Sequence, residues 1–450
     1  MTRPILGLAT LLLLANPTLA QEASPPDVSH FTLDNGLELV VVPDRRAPIV
    51  THMIWYRVGA ADDPAGQSGV SHFLEHLMFK GTEKYPAGTL DRMVSELGGD
   101  TNAFTSADVT VYFQTVPPDA LGDMMDIEAD RMRNLVLPED VIAAERDVVL
   151  DERRQRIDAQ PHAILAEELS ATLFQNHPYR IPVIGWEQEI AALDRQDALD
   201  FYARFYAPNN AVVVVAGDVD ADDVLSMAEA TYGQVQRVPE VSGTRLRAME
   251  PRHDTSRTVT YRDQRVSLPS FSRSWLVPSY RQAEPGEAEA LDMLSAVLSS
   301  GTRSRLYRDL VVNQQIAAQT GSSYGGSAYD TGTFAVYGTP RPGTTLDDLE
   351  AATYAQLQDI IDNGITEAEL ERARDRYIRA TIFARDDQGQ MAQAYGIWLT
   401  TDRTIEDLAA WPDRLRAVTV EDVQAVAARY LRPEIAVTGY LLPAMEETQP

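Results

Sequence analysis

The 450-residue chain contains no cysteine, two lysines and seven histidines. Without cysteine there can be no disulfide, no thiolate metal ligand, no cysteine nucleophile and no lipidated N-terminal cysteine. Any bound transition metal must then rely on histidine and carboxylate. Lys80 and Lys84 are the only lysines, so arginine carries nearly all the positive charge; nothing functional follows from that alone. Charge of that sign is scarce altogether. A formal net charge of −28 disfavours a general nucleic-acid or anionic-lipid surface, because neither would release counterions to such a chain. Cationic or neutral partners suit it better. The few histidines are scattered, which also excludes the His-rich tracts of a metal-storage protein. After the N-terminal segment, no stretch approaches the roughly twenty uninterrupted apolar residues that a membrane-spanning helix needs.

Residues 1–20 follow the layout of a secretory signal: Arg3 at the start, an apolar run over Ile5–Ala15, then small residues up to Ala20. The expectation is cleavage before Gln21 and a periplasmic or secreted mature protein. A retained N-terminal anchor is the alternative, which Pro17 and the small residues near Ala20 fit less well.

The remaining length suffices for two or more domains with separate cores. Phe31–Val42 reads as two strands around the turn Asp34-Asn35-Gly36, and Ile49–Val58 as a third. Ser68–Phe79 reads as a helix with Ser68 as its cap, Val70, Phe73, Leu74 and Leu77 as its apolar face, and Gly81 as its stop. Asn102–Val116 returns to strand composition, Pro118–Ile157 is mostly helical, and Ala211–Ala216 is a buried strand. Asp197–Val219 can be laid over Asp422–Ala444 with an offset of 225 residues, each running helix, aromatic, proline, strand. The chain thus reads as two copies of one α+β unit. Pro239–His253 lacks apolar periodicity and suits a linker. The expected division is 1–20 signal, 21–238 first domain, 239–254 linker, 255–450 second domain.

Within the helix reading lies His72-Phe73-Leu74-Glu75-His76. Histidines four apart share a helix face, so both imidazoles can reach one ion, with Glu75 beside them. This is the H-x-x-E-H order, the reverse of the commoner H-E-x-x-H. Two surface histidines on an amphipathic helix would give the same five letters. A hydrolytic zinc also needs a third protein ligand and an open fourth position. Ala144–Arg153 offers Glu145, Asp151 and Glu152, of which Glu145 and Glu152 stand two turns apart on one face. A solvated acidic face interleaved with Arg146, Arg153 and Arg154 reads equally well, and spacing alone does not choose.

Three segments, Gly69–Thr82 (GVSHFLEHLMFKGT), Ala144–Arg153 (AERDVVLDER) and Tyr206–Val219 (YAPNNAVVVVAGDV), resemble the pitrilysin/insulinase (inverzincin) family of zinc metallopeptidases. The likeness is to its short bacterial members, akin to the catalytic subunit of the mitochondrial processing peptidase, and spans nearly the whole mature chain. It implies an α+β fold of two homologous units, each an antiparallel sheet covered by helices, with the metal motif in the first alone. It implies one Zn2+ held by His72, His76 and, at the family's 76-residue spacing, Glu152. Glu75 then corresponds to the general base and Glu145 to the acid behind a ligand histidine. Substrate adds as a β-strand to a sheet edge, and Asn102, Ala103, Phe104 and Thr105 match that edge. Such binding reads backbone more than side chains.

The resemblance further implies a chamber formed by two chains or two fused halves, selecting short or unfolded peptides. The family also contains metal-free scaffold subunits, the alternative reading; an intact His72, Glu75, His76 and Glu152 argues for an enzyme. Aligned through Ser304–Tyr307, the family's substrate-contacting Arg and Tyr fall on Val311 and Ala318, so neither group is present there. The expectation is a heterodimer with a homologous chain that supplies them, Tyr324 or Arg308 being the internal candidates for the same role.

Overall fold

The computed structural model describes residues 28–239, 241, 245–384 and 386–445, so the expected signal segment lies outside the described residues. Two sheets organise the chain. The first takes β1 (Ser29–Thr32), β2 (Glu38–Pro43), β3 (Val50–Tyr56), β4 (Asp100–Thr105), β5 (Thr110–Val116) and β6 (Ala211–Gly217) in the order β1-β2-β6-β3-β5-β4. The second takes β7 (Arg257–Asp263), β8 (Ser270–Val277), β9 (Ala317–Tyr324), β10 (Gly332–Pro340) and β11 (Val437–Pro443) in the order β7-β11-β8-β10-β9. Each sheet is antiparallel apart from one parallel pair, β2 with β6 and β7 with β11. A parallel neighbour requires a long crossover, and the helices between these strands supply it.

The Asn35-Gly36 turn joins β1 to β2, with Gly36 in the left-handed region at φ +90°. Asn102–Val116, strand-like in composition, is a hairpin whose turn closes where the Ser106 amide donates to the Val109 carbonyl at 2.8 Å. Ser106 and Asp108 are turn formers inside an otherwise strand-like run, and their pull outweighs it. The internal repeat is physical. Helices Arg195–Phe205 and Val420–Tyr430 begin 225 residues apart, each opened by a capping box at Asp194 or Thr419, and each leads through a proline turn into β6 or β11.

All seven residues of β6 are buried. Val213 and Val215 face the first core with Leu39, Phe73 and Leu74, whereas Val212, Val214 and Ala216 lie under Met391, Tyr395 and Leu399 of helix Gln388–Thr400. A strand covered on both faces has no need to alternate, which is why the sequence reads as an unbroken apolar run. Gly396 lets that helix approach closely: a Cβ there would sit 2.1 Å from the Trp55 ring. Reciprocally, helix Pro161–Leu173 packs on β7 and β11, setting Leu169 and Leu173 against Val437. Residues 245–253 run between the halves without helix or strand, yet they are anchored. Arg247 pairs with Asp62 at 2.8 Å, with Asp330 at 3.1 Å and with Asp108, while Glu250 accepts the amides of Gln175, Asn176 and His177. Burying that guanidinium is costly, and three surrounding acids offset it.

Candidate metal centre

The motif helix is Val70–Leu77. Val70, Phe73, Leu74 and Leu77 are fully buried in the first core, which turns His72, Glu75 and His76 to the other side. Its N-cap is Gly69 at φ +86°, not Ser68. A Cβ on residue 69 would lie 2.4 Å from the Ile184 carbonyl, so only glycine fits the entry. The cap is supplied from a distance: Asp63 accepts the Gly69 amide at 2.7 Å and the Ser71 amide at 3.2 Å. Ser68 uses its hydroxyl to accept the Trp186 amide instead. After a short 3₁₀ turn the helix stops at Gly81, as the sequence predicts.

Helix Glu139–Arg153 lies across the motif helix. Glu152 Oε2 stands 3.7 Å from His72 Nε2 and 3.2 Å from His76 Nε2, and one ligand atom from each of the three falls within 4.8 Å of the others. A tetrahedral ion with bonds of roughly 2.0–2.2 Å separates its ligands by about 3.3–3.6 Å; the two glutamate–histidine separations lie close to that range, and the full spread of 4.8 Å is wider than it. Glu152 Oε2 is shut off from solvent and makes no hydrogen bond of acceptable geometry. A buried carboxylate oxygen aimed at two imidazole nitrogens without a proper donor suits a cation ligand. His72, His76 and Glu152 could therefore hold a metal ion.

Glu145, two turns before Glu152, accepts from His76 Nδ1 at 3.0 Å and is braced by Lys80. That hydrogen bond fixes the tautomer that leaves Nε2 free for an ion. Glu75 stays outside the cluster, with its Oε2 accepting from the Thr105 hydroxyl at 2.6 Å. Asp151 points to solvent and pairs with Arg154 at 2.6 Å, so it does not join the three.

Burial and the neighbouring His76 hold His72 below its ordinary pKa. Burial also opposes charge on His76, but the carboxylates of Glu145 and Glu152 outweigh it and raise that imidazole to about 9. Burial raises Glu75, against the hydrogen bond from Thr105. Glu152 is lowered, chiefly by its contact with His76. Two carboxylates two turns apart thus accompany one neutral and one readily charged imidazole.

β4 is the free edge of the first sheet and lies beside the motif helix. The Ala103 amide donates to the Oδ1 of its neighbour Asn102, not to β5, so Ala103 turns its backbone outward. Asn102, Ala103, Phe104 and Thr105 line, with the two histidines, a cleft of about 1030 Å³. Val311 is half-buried against the second core, and Ala318 is exposed on β9, the corresponding edge of the second sheet. Tyr324 donates its hydroxyl to the Pro278 carbonyl, and Arg308 lies 3.8 Å from Glu369. Sequence reasoning missed three supports of the site: Asp63 at the helix cap, Lys80 behind Glu145, and Arg156, which pairs with the outer oxygen of Glu152 at 2.7 Å. Lys80 had a signal, since it follows His76 by four residues on one continuing turn.

Residues 39–186 match the family model described as insulinase (peptidase family M16), and residues 192–377 match the peptidase M16 inactive domain. The chain is 29% identical to the zinc protease PqqE of Helicobacter pylori over 441 residues, covering 98% of each protein. It is 30% identical to an uncharacterized zinc protease of Mycobacterium leprae, across 90% of this chain and 89% of that one. Among solved structures, a protease from Helicobacter pylori superposes with a TM-score of 0.87 at 29% identity, covering 93% of this chain and all of that one. Both curated relatives carry the name of zinc protease, and each is matched over nearly its whole length. The likeness therefore includes both the half with the histidine motif and the half without it, and the chain belongs to the insulinase, or pitrilysin, family of peptidases, M16.

Proposed function

We propose that the chain is a zinc-dependent endopeptidase that hydrolyses peptides or unfolded polypeptides inside a chamber, exported to the periplasm or beyond, its two domains divided at residues 239–254. The observation that carries this reading is the placement of two carboxylates: Glu152 faces both histidine nitrogens, while Glu75 stands beside that cluster on a different tether. His72, His76 and Glu152 would hold the ion, with Glu145 orienting His76 from behind. When bound there, zinc supplies a Lewis acid that acidifies water and polarises a peptide carbonyl.

Glu75 does the proton work. Thr105 occupies its Oε2, so Oε1 is the oxygen left to take the proton of the attacking water and return it to the leaving amine. Burial raises its pKa towards the working range, which suits a group that must both accept and release. The peptide adds to the free edge of β4 through backbone groups such as those of Ala103, with specificity set by the shape of the cleft. The second half lacks an Arg and Tyr at Val311 and Ala318, and a homologous partner chain brings them to the composite site in a heterodimer.

Glu75→Gln tests the central assignment. It should keep one zinc per chain, because this carboxylate is not a ligand, and lose on the order of a hundredfold or more in peptide hydrolysis. Retained activity sinks the role of base, and lost zinc makes Glu75 a ligand instead. Assaying the chain alone and then with a metal-free homologue that carries the Arg/Tyr pair tests the partner: full activity alone argues against it.

A further inference from the structure

The second half contains a cleft between the two helices that correspond to those flanking the histidine cleft of the first, although no residue of β9 lines it. Helix Glu287–Ser299 follows β8 and packs against β9 and helix Glu367–Ala384, as the motif helix follows β3 and packs against β4 and helix Glu139–Arg153. Between those second-half helices lies a cavity of about 580 Å³. Its floor is apolar, from Ala296, Val297 and Ala373, and its rim carries Arg303, Arg372, Arg376 and Arg379.

Two acids share this lining, and both are engaged. Glu369 pairs with Arg305 at 3.0 Å, and Asp375 pairs with Arg379 at 3.3 Å. Arg303, Arg372 and Arg376 have no acidic partner within 4.0 Å among the described residues. On a chain of net charge −28 such a concentration of unneutralised guanidinium groups is the opposite of the surface average. Gly301, at φ +81°, leaves the room that the Arg376 guanidinium uses; a Cβ there would come within 2.1 Å of it. Phe383, 70% exposed, adds a large apolar face to the same lining.

We propose that this cavity is a carboxylate-binding subsite that holds an acidic segment of the peptide chain. The proposal rests on the peptidase reading for its ligand class, and extends it to a half of the molecule that carries no metal cluster among the described residues. Guanidinium groups present paired N–H donors that match a carboxylate, and no competing acid remains in the cavity to neutralise them. The apolar floor accommodates the side chains flanking the acid. A nucleic acid or an anionic bilayer fits poorly, since three cations in a closed-floored cavity cannot offset the repulsion of the remaining surface.

Fluorescence anisotropy of a labelled Glu/Leu peptide against the full, zinc-loaded chain tests it, with Glu75→Gln as background so that the probe is not consumed. Adding Arg372→Gln and Arg376→Gln should weaken binding of this peptide by roughly tenfold or more, the usual loss for charge-assisted hydrogen bonds. The Gln/Leu analogue should bind both proteins alike, and Arg372→Lys with Arg376→Lys should recover part of the loss. If amidating the peptide C-terminus removes the difference, the terminal carboxylate is the ligand; if Glu-to-Gln exchange removes it, side chains are. Equal affinity of the two proteins for the Glu/Leu peptide overturns the subsite. Turnover of a neutral peptide by the wild-type chain is read separately, so its absence would sink the peptidase reading and leave the binding comparison intact.

Discussion

In the first half, β2 runs parallel to β6, and β3, β5 and β4 follow antiparallel; in the second, β7 runs parallel to β11, and β8, β10 and β9 follow in the same sense. Each sheet is covered on its outer face by a helix from the other half. The cleft beside the first sheet's edge gathers two histidines and three glutamates; the cleft between the corresponding helices of the second half gathers arginines. The fold therefore depends on positions that both halves share: apolar residues on central strands and the capped helix that feeds the last one. The candidate site depends on a few side chains on the facing sides of two helices, outside the strands that make the sheet.

The widest break in this comparison comes from the three residues proposed to hold the metal. His76→Ala should abolish zinc binding and with it nearly all peptide hydrolysis, since two remaining ligands do not hold a hydrolytic zinc site. Asp151→Ala, next to Glu152 in sequence but paired with Arg154 in solvent, should keep full metal content. Metal analysis of the two purified variants decides between Glu152 and Asp151; an empty site in Asp151→Ala would move the third ligand by one residue.

Much of that contrast was readable from sequence, and the physical reasons can be traced residue by residue. The apolar face at Val70, Phe73, Leu74 and Leu77 fixes which way the histidines point, and period alone yields it. The helix-proline-strand repeat was legible because capping boxes and a proline turn recur in both copies. Spacing leaves Glu152 open and the family resemblance names it, because three candidate acids, Glu145, Asp151 and Glu152, lie on one helix and only packing against the motif helix separates them. Asp63, which caps the motif helix from seven residues before its start, left no local signal, and neither did the reciprocal helices, which are contacts across the whole chain. The linker likewise shows its composition in sequence but not its anchoring: the acids that receive Arg247 come from positions 62, 108 and 330.

A smaller effect sharpens what Glu145 does. A metal ligand imidazole must be neutral, and His76, lifted to about 9, is protonated at pH 7 before metal arrives. Binding zinc at pH 7 should then release about one proton from this group, and apparent affinity should rise by about tenfold per pH unit as pH climbs towards 9. The sign follows from the raised value: acid favours the protonated imidazole and opposes the ion. Calorimetry in two buffers of different ionisation enthalpy counts that proton. Glu145→Gln removes part of the lift, so the proton count should fall below that of the wild type, while affinity at high pH drops by roughly ten- to a hundredfold as the ring loses its orienting partner. The count is read at pH 8, where a partial loss of the lift shows; no change there would assign the lift to the remaining carboxylates, Glu152 and Glu75.

The smallest expected effects compare the two covering helices. At Gly396, an alanine Cβ would fall 2.1 Å from the ring of Trp55, which is fully buried where the helix packs on the first sheet. Overpacking of this kind costs about 1–3 kcal/mol. Alanine in mid-helix returns about 1 kcal/mol in propensity, so Gly396→Ala should lower stability by up to about 2 kcal/mol net. At Gly439 on β11, the same change meets only the methyl ends of Leu169 and Leu165, at 3.2 and 3.3 Å. Those side chains can rotate by a few tenths of an ångström, and the gain from replacing a strand glycine is about 0.5–1 kcal/mol. Gly439→Ala should therefore leave the unfolding midpoint in urea nearly unchanged. If it destabilises as much as Gly396→Ala, the cover of the second sheet is as tightly set as that of the first, and the asymmetry drawn here between an aromatic and an aliphatic seat fails.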